Sequence, residues 1–170
     1  MSPLRPDLID CWVYRVPPTG GAEILLIRRA PGRILRGLWQ CVSGSIEPGE
    51  RVALAALREV EEETGFGPDE IEAFFDLDLV NAFHEPSVDA VVVSAVFAVR
   101  VRPDVEARLS HEHDGLRWVG LEAAWAEVVW PGYRTALEHL RDFVLDPARE
   151  GWFRLGLDGS RLADAGDPPR

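Results

Sequence analysis

One segment, residues 44–66, constrains this chain more than any other, because a glycine-containing loop runs directly into a stretch rich in glutamate. No helix-breaking residue occurs between residues 51 and 64, where alanine and glutamate dominate. Gly65 follows at the place where a helix commonly ends in a left-handed residue. The segment therefore predicts a tight loop, one helix and a glycine stop.

The predicted helix brings three carboxylates together. At about 3.6 residues per turn, Glu59, Glu62 and Glu63 share one face, at a spacing that brings side chains into contact. A second stripe, about a quarter turn away, is apolar and is predicted to face the core: Ala53, Leu57, Val60 and Thr64. The preceding turn of the acidic face carries only small or apolar residues, which would let a ligand approach the backbone: Val52, Ala55 and Ala56.

Carboxylates crowded in this way repel one another, and two arrangements would relieve the repulsion. Arg58 could neutralise part of the charge, or a hard divalent cation such as Mg²⁺ or Mn²⁺ could bind, since these cations prefer oxygen ligands. Such cations bridge phosphate oxygens and lower the pKa of a bound water. The alternative is a solvated acidic face with charge pairs along the helix. The loop favours a site, because Gly44 would let a backbone carbonyl point towards the carboxylates.

The order of residues in this segment resembles the signature box of the Nudix hydrolases, G-x5-E-x7-R-E-U-x-E-E-x-G-U. Every fixed position is filled, with Val60 and Phe66 at the two U positions: Gly44, Glu50, Arg58, Glu59, Glu62, Glu63 and Gly65. The resemblance implies an α/β fold, the Nudix α/β/α sandwich with a mixed sheet. It implies a single Nudix domain over residues 1–150, followed by a C-terminal tail, residues 151–170, that is expected to be partly disordered.

The resemblance also implies a metal site. Its ligands to Mg²⁺ or Mn²⁺ would be the helix carboxylates and the carbonyl of the loop glycine: Glu59, Glu62, Glu63 and Gly44. Arg58 would hold Glu59 by a charge-assisted contact, and Glu50 would brace the loop or reach the metal through water. The reaction would be attack of water on phosphorus in a diphosphate linkage, with Glu59 or a neighbouring carboxylate assisting the water.

A polar loop at residues 110–114 lies outside the box and supplies one further candidate. The family often adds a carboxylate from a later loop, and Glu112 is the predicted extra metal ligand or base, against the alternative of a surface-loop residue. His111 and His113 form a His-x-His pair, but they lack the further Cys/His spacing of a zinc site. They are therefore predicted to be polar loop residues near phosphate.

Arginines and one tryptophan ahead of the box are the candidate substrate contacts. Arg28, Arg29 and Arg36 are predicted to hold the substrate's phosphates, because a guanidinium group offers a planar fork to them. The alternative is ordinary surface charge. Trp39 is predicted to stack on a base or pterin ring, with a core aromatic as the alternative.

The substrate class follows from a further resemblance. Residues 38–50 resemble the corresponding segment of bacterial dihydroneopterin triphosphate pyrophosphatases, also labelled dATP pyrophosphohydrolases. This implies release of pyrophosphate and a monophosphate from a nucleoside or pterin triphosphate. Two alternatives remain: a substrate that links a nucleoside diphosphate to another group (ADP-ribose, a nucleotide sugar or a dinucleotide), and a non-catalytic nucleotide sensor. Phe83, where diadenosine polyphosphate hydrolases tend to have tyrosine, counts against the dinucleotide, and the intact glutamates count against the sensor.

Composition excludes several other classes. The net charge of −11 argues against a nucleic-acid binder, because nucleic acid is itself a polyanion. All 18 basic residues are arginine, which excludes the P-loop and Schiff-base mechanisms, since both require lysine. Cys11 and Cys41 lie in apolar stretches and are predicted to be buried free thiols in a reducing cytoplasm. No stretch is long and apolar enough for a signal peptide or a membrane span, so the prediction is a cytoplasmic protein, with a homodimer left open.

The remaining pattern predicts strands that dominate the middle of the chain, with helices after them. The predicted strands cover residues 8–16, 22–29, 39–44, 76–83, 88–102 and 116–121. Besides the helix at 51–64, helices are predicted at residues 121–128 and 133–145. This order indicates a mixed sheet with helices packed on it, because no regular alternation of strands and helices occurs.

Overall fold

A mixed sheet with helices on both faces organises the protein, as seen in a computed structural model that describes residues 4–162. Its strands are β1 (Leu4–Arg15), β2 (Glu23–Arg29), β3 (Trp39–Gln40), β4 (Val42–Ser45), β5 (Ile71–Glu85), β6 (Ala90–Val101), β7 (His113–Gly120) and β8 (Arg154–Leu155). Its helices are α1 (Val52–Thr64), α2 (Leu121–Glu127), α3 (Pro131–His139) and α4 (Glu150–Phe153), and a π-helical turn, Leu140–Val144, extends α3. The predicted α/β class is confirmed.

Strand β1 exchanges its partner halfway along its length. Its C-terminal end pairs antiparallel with β2, where Tyr14 lies opposite Ile24. Its N-terminal half pairs antiparallel with β4, from Cys11 opposite Val42 onwards, and its other edge pairs in parallel with β6. Strand β2 in turn pairs with β3 and β7. The eight-stranded sheet thus has two half-sheets, β3–β2–β7 and β4–β1–β6–β5–β8. A single residue, Cys41, connects β3 of the first half-sheet to β4 of the second.

Each face of the sheet carries its own apolar core, because alternate residues of a strand point to opposite faces. The face under α1 buries Ile9, Val13, Ile27, Val60 and Phe74, among others. The face under α2 and α3 buries Trp12, Tyr14, Leu26, Phe75 and Leu137, among others. Both cysteines are buried and free, as predicted, with Cys11 in the α1 core and Cys41 in the α3 core.

A buried carboxyl group interrupts the α3 face. Asp10 is 4% exposed, and the side-chain amide of Asn81 donates a hydrogen bond to it at 3.0 Å. The start of α3 closes over this pair, since a Cβ on Gly132 would lie 2.5 Å from Oδ1 of Asn81. Only glycine fits at that position without moving the amide, so α3 packs directly on the hydrogen-bonded pair.

The predicted strands and helices are present, and the largest difference in bounds concerns β5. This strand begins at Ile71, earlier than the predicted residue 76. Its pairing with β6 shifts register between Asp76 and Leu79, and Asp78 takes a left-handed conformation with φ of 50°. A bulge of this kind interrupts the alternation of apolar and polar residues, so the pattern does not mark the beginning of the strand.

The segment after residue 150 adds α4 and β8 to the edge of the sheet, where Leu155 lies opposite Phe74 of β5. It continues to the start of α1, where Nη1 of Arg51 donates to the carbonyl of Asp158 at 2.7 Å. The predicted disorder of the tail falls partly on residues 163–170, which lie outside the described residues. None of the helices within residues 4–162 is long and apolar enough to cross a membrane.

Candidate functional site

Helix α1 forms where the sequence predicts it, and the glycine stop is confirmed. Gly65 takes a left-handed φ of 75°, and its N–H donates to the carbonyl of Glu61 at 2.8 Å. The helix packs on the sheet through the buried side chains Ala55, Ala56 and Val60. Its acidic residues are therefore carried by a helix whose position is fixed by the core.

The predicted orientation of α1 is wrong by part of a turn. Ala55 and Ala56, predicted to lie open to a ligand, are fully buried, whereas Ala53 and Leu57 are only half-buried. Ala55 and Ala56 pack into the apolar core of the sheet face under α1. The loop that precedes β7 covers the C-terminal end of the helix. Its backbone N–H groups donate to the last carbonyls of α1, from Arg108 to Thr64 at 2.8 Å and from Ser110 to Glu63 at 3.3 Å.

Arg58 connects the carboxylates of the box. Its guanidinium group donates two hydrogen bonds to Glu50, at 2.8 and 3.0 Å, and one to Oε1 of Glu59 at 2.8 Å. A longer contact of 3.3 Å reaches Glu62, and a bond of 2.9 Å reaches the carbonyl of Ser45. One arginine thus ties the helix to the loop and offsets the charge of three carboxylates.

Glu50 braces the loop, which was one of its two predicted roles. It accepts a hydrogen bond from the backbone N–H of Glu47 at 3.0 Å. Its hydrogen bonds from Arg58, and then the one from Glu47, lower the pKa of Glu50. The residue is therefore ionised when it holds Arg58 in place.

Gly44 is required because of Glu59. A Cβ at residue 44 would overlap the carboxyl group of Glu59, so any other residue would displace that carboxylate. Several glycines of the chain have a positive φ, but Gly44 does not. Glycine is therefore needed here for space and not for backbone conformation. The loop and the helix carboxylate are in van der Waals contact at this point.

Glu63 differs from the other helix carboxylates because it is buried. Glu63 is 6% exposed, and its Oε2 has no hydrogen-bond partner. The side chain of Glu62, by contrast, is 58% exposed. Burial, and after it the nearby carboxylates of Glu59 and Glu112, raise the pKa of Glu63 to about 8. Burial also raises the pKa of Glu59, and Arg58 opposes that rise. Buried carboxylates with raised pKa values and an unpartnered oxygen are suited to a cation.

The donor set therefore fits a hard divalent cation, although its members are not gathered around one point. Within residues 4–162, no three side chains of histidine, cysteine, aspartate or glutamate converge as a metal centre would require. Arg58 occupies the space between Glu59 and Glu62, so a cation would have to draw these carboxylates away from it.

The loop at residues 110–114 lies beside the helix carboxylates, as predicted. Glu112 is close enough to influence the pKa of both Glu59 and Glu63. It pairs with Arg33 at 3.0 Å, and Arg33 also lies 2.8 Å from Nε2 of His111. The ion pair with Arg33 is one that the sequence analysis did not foresee, because the two residues come from separate loops.

The predicted phosphate-binding arginines are distributed over different positions. Arg29 lies on the α1 side, where its charge lowers the pKa of Glu63, and its Nε donates to the carbonyl of Ile34 at 2.7 Å. Arg28 lies on the opposite face and pairs with Asp114 at 2.8 Å. Arg36 is exposed on the loop that follows β2.

Trp39 lies between two arginines on the α3 face. The guanidinium carbon of Arg117 is 3.9 Å from the ring centroid, and that of Arg28 is 5.5 Å away. Arg117 is itself paired with Glu127 at 2.8 Å. Trp39 also packs against the α3 core, as the core alternative predicted, and its stacking on a base or pterin ring stays a prediction. Arg117 was not among the residues predicted from sequence. Its position on a strand with alternating polar and apolar residues indicates a polar face but no contact with Trp39.

Comparison with known proteins gives a consistent result. The family model of the NUDIX domain matches residues 11–140. An octanoyltransferase of Myxococcus xanthus is 40% identical over 119 residues, which are 69% of this chain, but the match spans only 32% of that protein. An asymmetrical bis(5'-nucleosyl)-tetraphosphatase of Sus scrofa is 32% identical over 114 residues, covering 65% of this chain and 74% of that protein.

Solved structures show the same fold at lower identity. An Ap4A hydrolase of Caenorhabditis elegans, solved as a binary complex, superposes with a TM-score of 0.66 at 21% identity, covering 79% of this chain and 93% of the other. The dihydroneopterin triphosphate pyrophosphohydrolase of Escherichia coli gives a TM-score of 0.65 at 22% identity, covering 81% and 93%. With the complete box and the matching family model, the chain belongs to the Nudix family.

Proposed function

We propose that this protein hydrolyses a diphosphate linkage in a nucleoside or pterin triphosphate, with Mg²⁺ or Mn²⁺, and releases pyrophosphate and a monophosphate. The observation that carries the proposal is the environment of Glu63. A buried carboxyl group with an unpartnered oxygen, beside Glu59 and Glu112, would be unfavourable in a helix that served packing alone. The same arrangement is useful in a helix that binds a cation.

The proposed reaction assigns separate roles to the carboxylates and the arginines of the site. Glu59, Glu62, Glu63, Glu112 and the carbonyl of Gly44 would hold the cation. A bound divalent cation supplies charge compensation at the phosphate oxygens and lowers the pKa of an attacking water. Arg58 keeps the Glu59 carboxylate against the Gly44 loop. Glu59 or a neighbouring carboxylate would accept the proton of the water. Arg29, on the same face, contributes positive charge for the phosphates.

The triphosphate is supported by the sequence of residues 38–50, which resembles the dihydroneopterin triphosphate group. A dinucleoside polyphosphate is the second candidate, because the tetraphosphatase of Sus scrofa is 32% identical to this chain. That match favours a dinucleotide, whereas Phe83, in place of the tyrosine of diadenosine polyphosphate hydrolases, counts against one. Both candidates require the same attack of water on phosphorus, and they differ in the leaving group.

A release assay with Mg²⁺ or Mn²⁺ tests the proposal and separates the candidates. The panel holds deoxynucleoside triphosphates, dihydroneopterin triphosphate, diadenosine polyphosphates, ADP-ribose and nucleotide sugars, and pyrophosphate and mononucleotides are measured separately. We expect pyrophosphate from a triphosphate well above every other product. Nucleoside mono- and triphosphate from diadenosine tetraphosphate would move the substrate to the second candidate. Nucleotide binding without any release would support the sensor alternative.

A further inference from the structure

A buried polar layer lies on the α1 face of the half-sheet that contains β2. Along β2, Leu25 and Ile27 point into the α1 core. Gln40 of β3 lies opposite Ile27, and His113 of β7 lies opposite Arg29. Directly paired residues project from the same face of a sheet, so the side chain of Gln40 points to the side that α1 covers.

Four side-chain atoms of this region are buried and lack hydrogen-bond partners. Gln40 is 3% exposed, and its amide Nε2, a donor, makes no hydrogen bond. Oε2 of Glu63, an acceptor, makes none either. Both ring nitrogens of His113 are in the same condition. Buried donors and acceptors are nearly always paired in folded proteins, so these groups indicate an interaction that is completed in another state of the site.

Glu63 also lacks the support that the other carboxylates have. Arg58 contacts Glu50, Glu59 and Glu62, and Glu63 is not among its partners in the described residues. The backbone N–H of Ser43 is a hydrogen-bonding neighbour that favours the ionised form of Glu63, and it is supplied by the chain that leads on from Gln40. A neutral amide is well suited as a second donor, because it orients a carboxylate without adding a charge that would compete with a cation.

We propose that Gln40 is a positioning residue for Glu63. Its side-chain N–H donates to one lone pair of Oε2 of Glu63 and fixes the carboxylate so that the remaining lone pairs face a divalent cation. The inference rests on the proposed function, in that the α1 carboxylates bind such a cation. The site then has two separate supports: Arg58 for the exposed carboxylates and Gln40 for the buried one.

The test is a titration of Mn²⁺ into the full-length protein, followed by electron paramagnetic resonance of the free ion. Gln40→Leu removes the donor at similar size, and we expect Mn²⁺ to bind about tenfold more weakly. We also expect kcat to fall more than KM changes. Gln40→Met serves as a second variant, because the flexible thioether fills the same space if leucine disturbs folding. Thermal melting confirms that each variant is folded.

A matched control and a double variant make the test specific. Ser94→Ala removes a buried side-chain hydroxyl on the α3 side of the sheet, and Mn²⁺ affinity should stay unchanged. In a Glu63→Gln background, Gln40→Leu should have no further effect, because the two residues act as one unit. Unchanged Mn²⁺ affinity in folded Gln40→Leu, or an equal loss in the Glu63→Gln background, overturns the inference. Failure of the wild-type protein to bind Mn²⁺ overturns the proposed function instead.

Discussion

The two faces of the sheet use arginine in opposite ways. On the α1 face, one guanidinium group, that of Arg58, is surrounded by the carboxylates of Glu50, Glu59 and Glu62. On the α3 face, one indole ring, that of Trp39, is flanked by the guanidinium groups of Arg28 and Arg117. The first arrangement gathers negative charge for a cation, and the second presents positive charge and an aromatic surface. Under the proposed function, the chemistry would belong to the first face, and the second face would at most contact the substrate.

Removing a carboxylate from the α1 face should have the largest effect. We expect Glu59→Gln and Glu63→Gln each to lower kcat by about 10²–10⁴-fold, because both remove an ionised oxygen from the proposed cation site. The measurement is pyrophosphate release at saturating Mg²⁺. Glu61→Gln is the matched control, since Glu61 is exposed on the same helix, and its rate should equal that of the wild type. Equal rates in all three variants would remove α1 from the mechanism.

Removing Arg58 should have the next largest effect. Arg58→Met keeps the apolar part of the side chain but frees the carboxylates of Glu50 and Glu59, so we expect kcat to fall about 10–100-fold. Arg58→Lys should not restore the rate, because an ammonium group cannot reproduce the paired bonds to Glu50. A fully active lysine variant would show that charge alone is needed at this position.

A change on the α3 face should be smaller and should appear in KM. Trp39→Leu removes the ring between the two arginines, and we expect KM to rise about two- to fivefold, equivalent to about 0.5–1 kcal/mol, with kcat nearly unchanged. Trp125→Leu is the control, because Trp125 also stacks with an arginine, Arg134 at 4.6 Å, but on the helices α2 and α3. If Trp39→Leu lowers kcat as strongly as a glutamate variant, the division between the two faces is wrong.

The smallest effect should be a pH dependence of stability at Asp10. Burial raises the pKa of Asp10 above its usual value, and hydrogen bonds from neighbours such as Asn81 only partly oppose the rise. Below the ordinary pKa of aspartate, both the folded and unfolded states are protonated. Between the unfolded and the folded pKa, the unfolded state releases its proton while the buried group keeps it, so the free energy of unfolding decreases as pH rises up to the folded pKa.

The measurement is urea unfolding of the wild type and Asp10→Asn between about pH 4 and pH 7, because the asparagine side chain does not ionise. We expect the free energy of unfolding of the variant, minus that of the wild type, to increase as pH rises. Mn²⁺ should not change this difference, since Asp10 lies on the face away from the carboxylates of α1. A difference that disappears with Mn²⁺ would place Asp10 within the cation site.

The two faces of the sheet also differ in how much of their structure could be predicted from sequence. The α1 face was predictable because its carboxylates lie on one helix, where spacing along the chain sets spacing in space. The contact of Glu59 with Gly44 was not, because it depends on how the loop folds back on the helix. The contact of the loop before β7 with the last turn of α1 was not predictable either, because that loop is distant in sequence. The arrangement around Trp39 joins three strands, and no local pattern indicates such a pairing.

The passage of the chain through Cys41 has a consequence for insertions and deletions. Gln40 pairs with one half-sheet and Val42 with the other, so a single peptide length sets the offset between them. One extra residue there would invert the pleat of β4 and turn Gly44 towards the α3 face. The loop would then lose its contact with Glu59, although every residue of the box would still be present. Spacing across this junction is therefore as much a part of the site as the box itself.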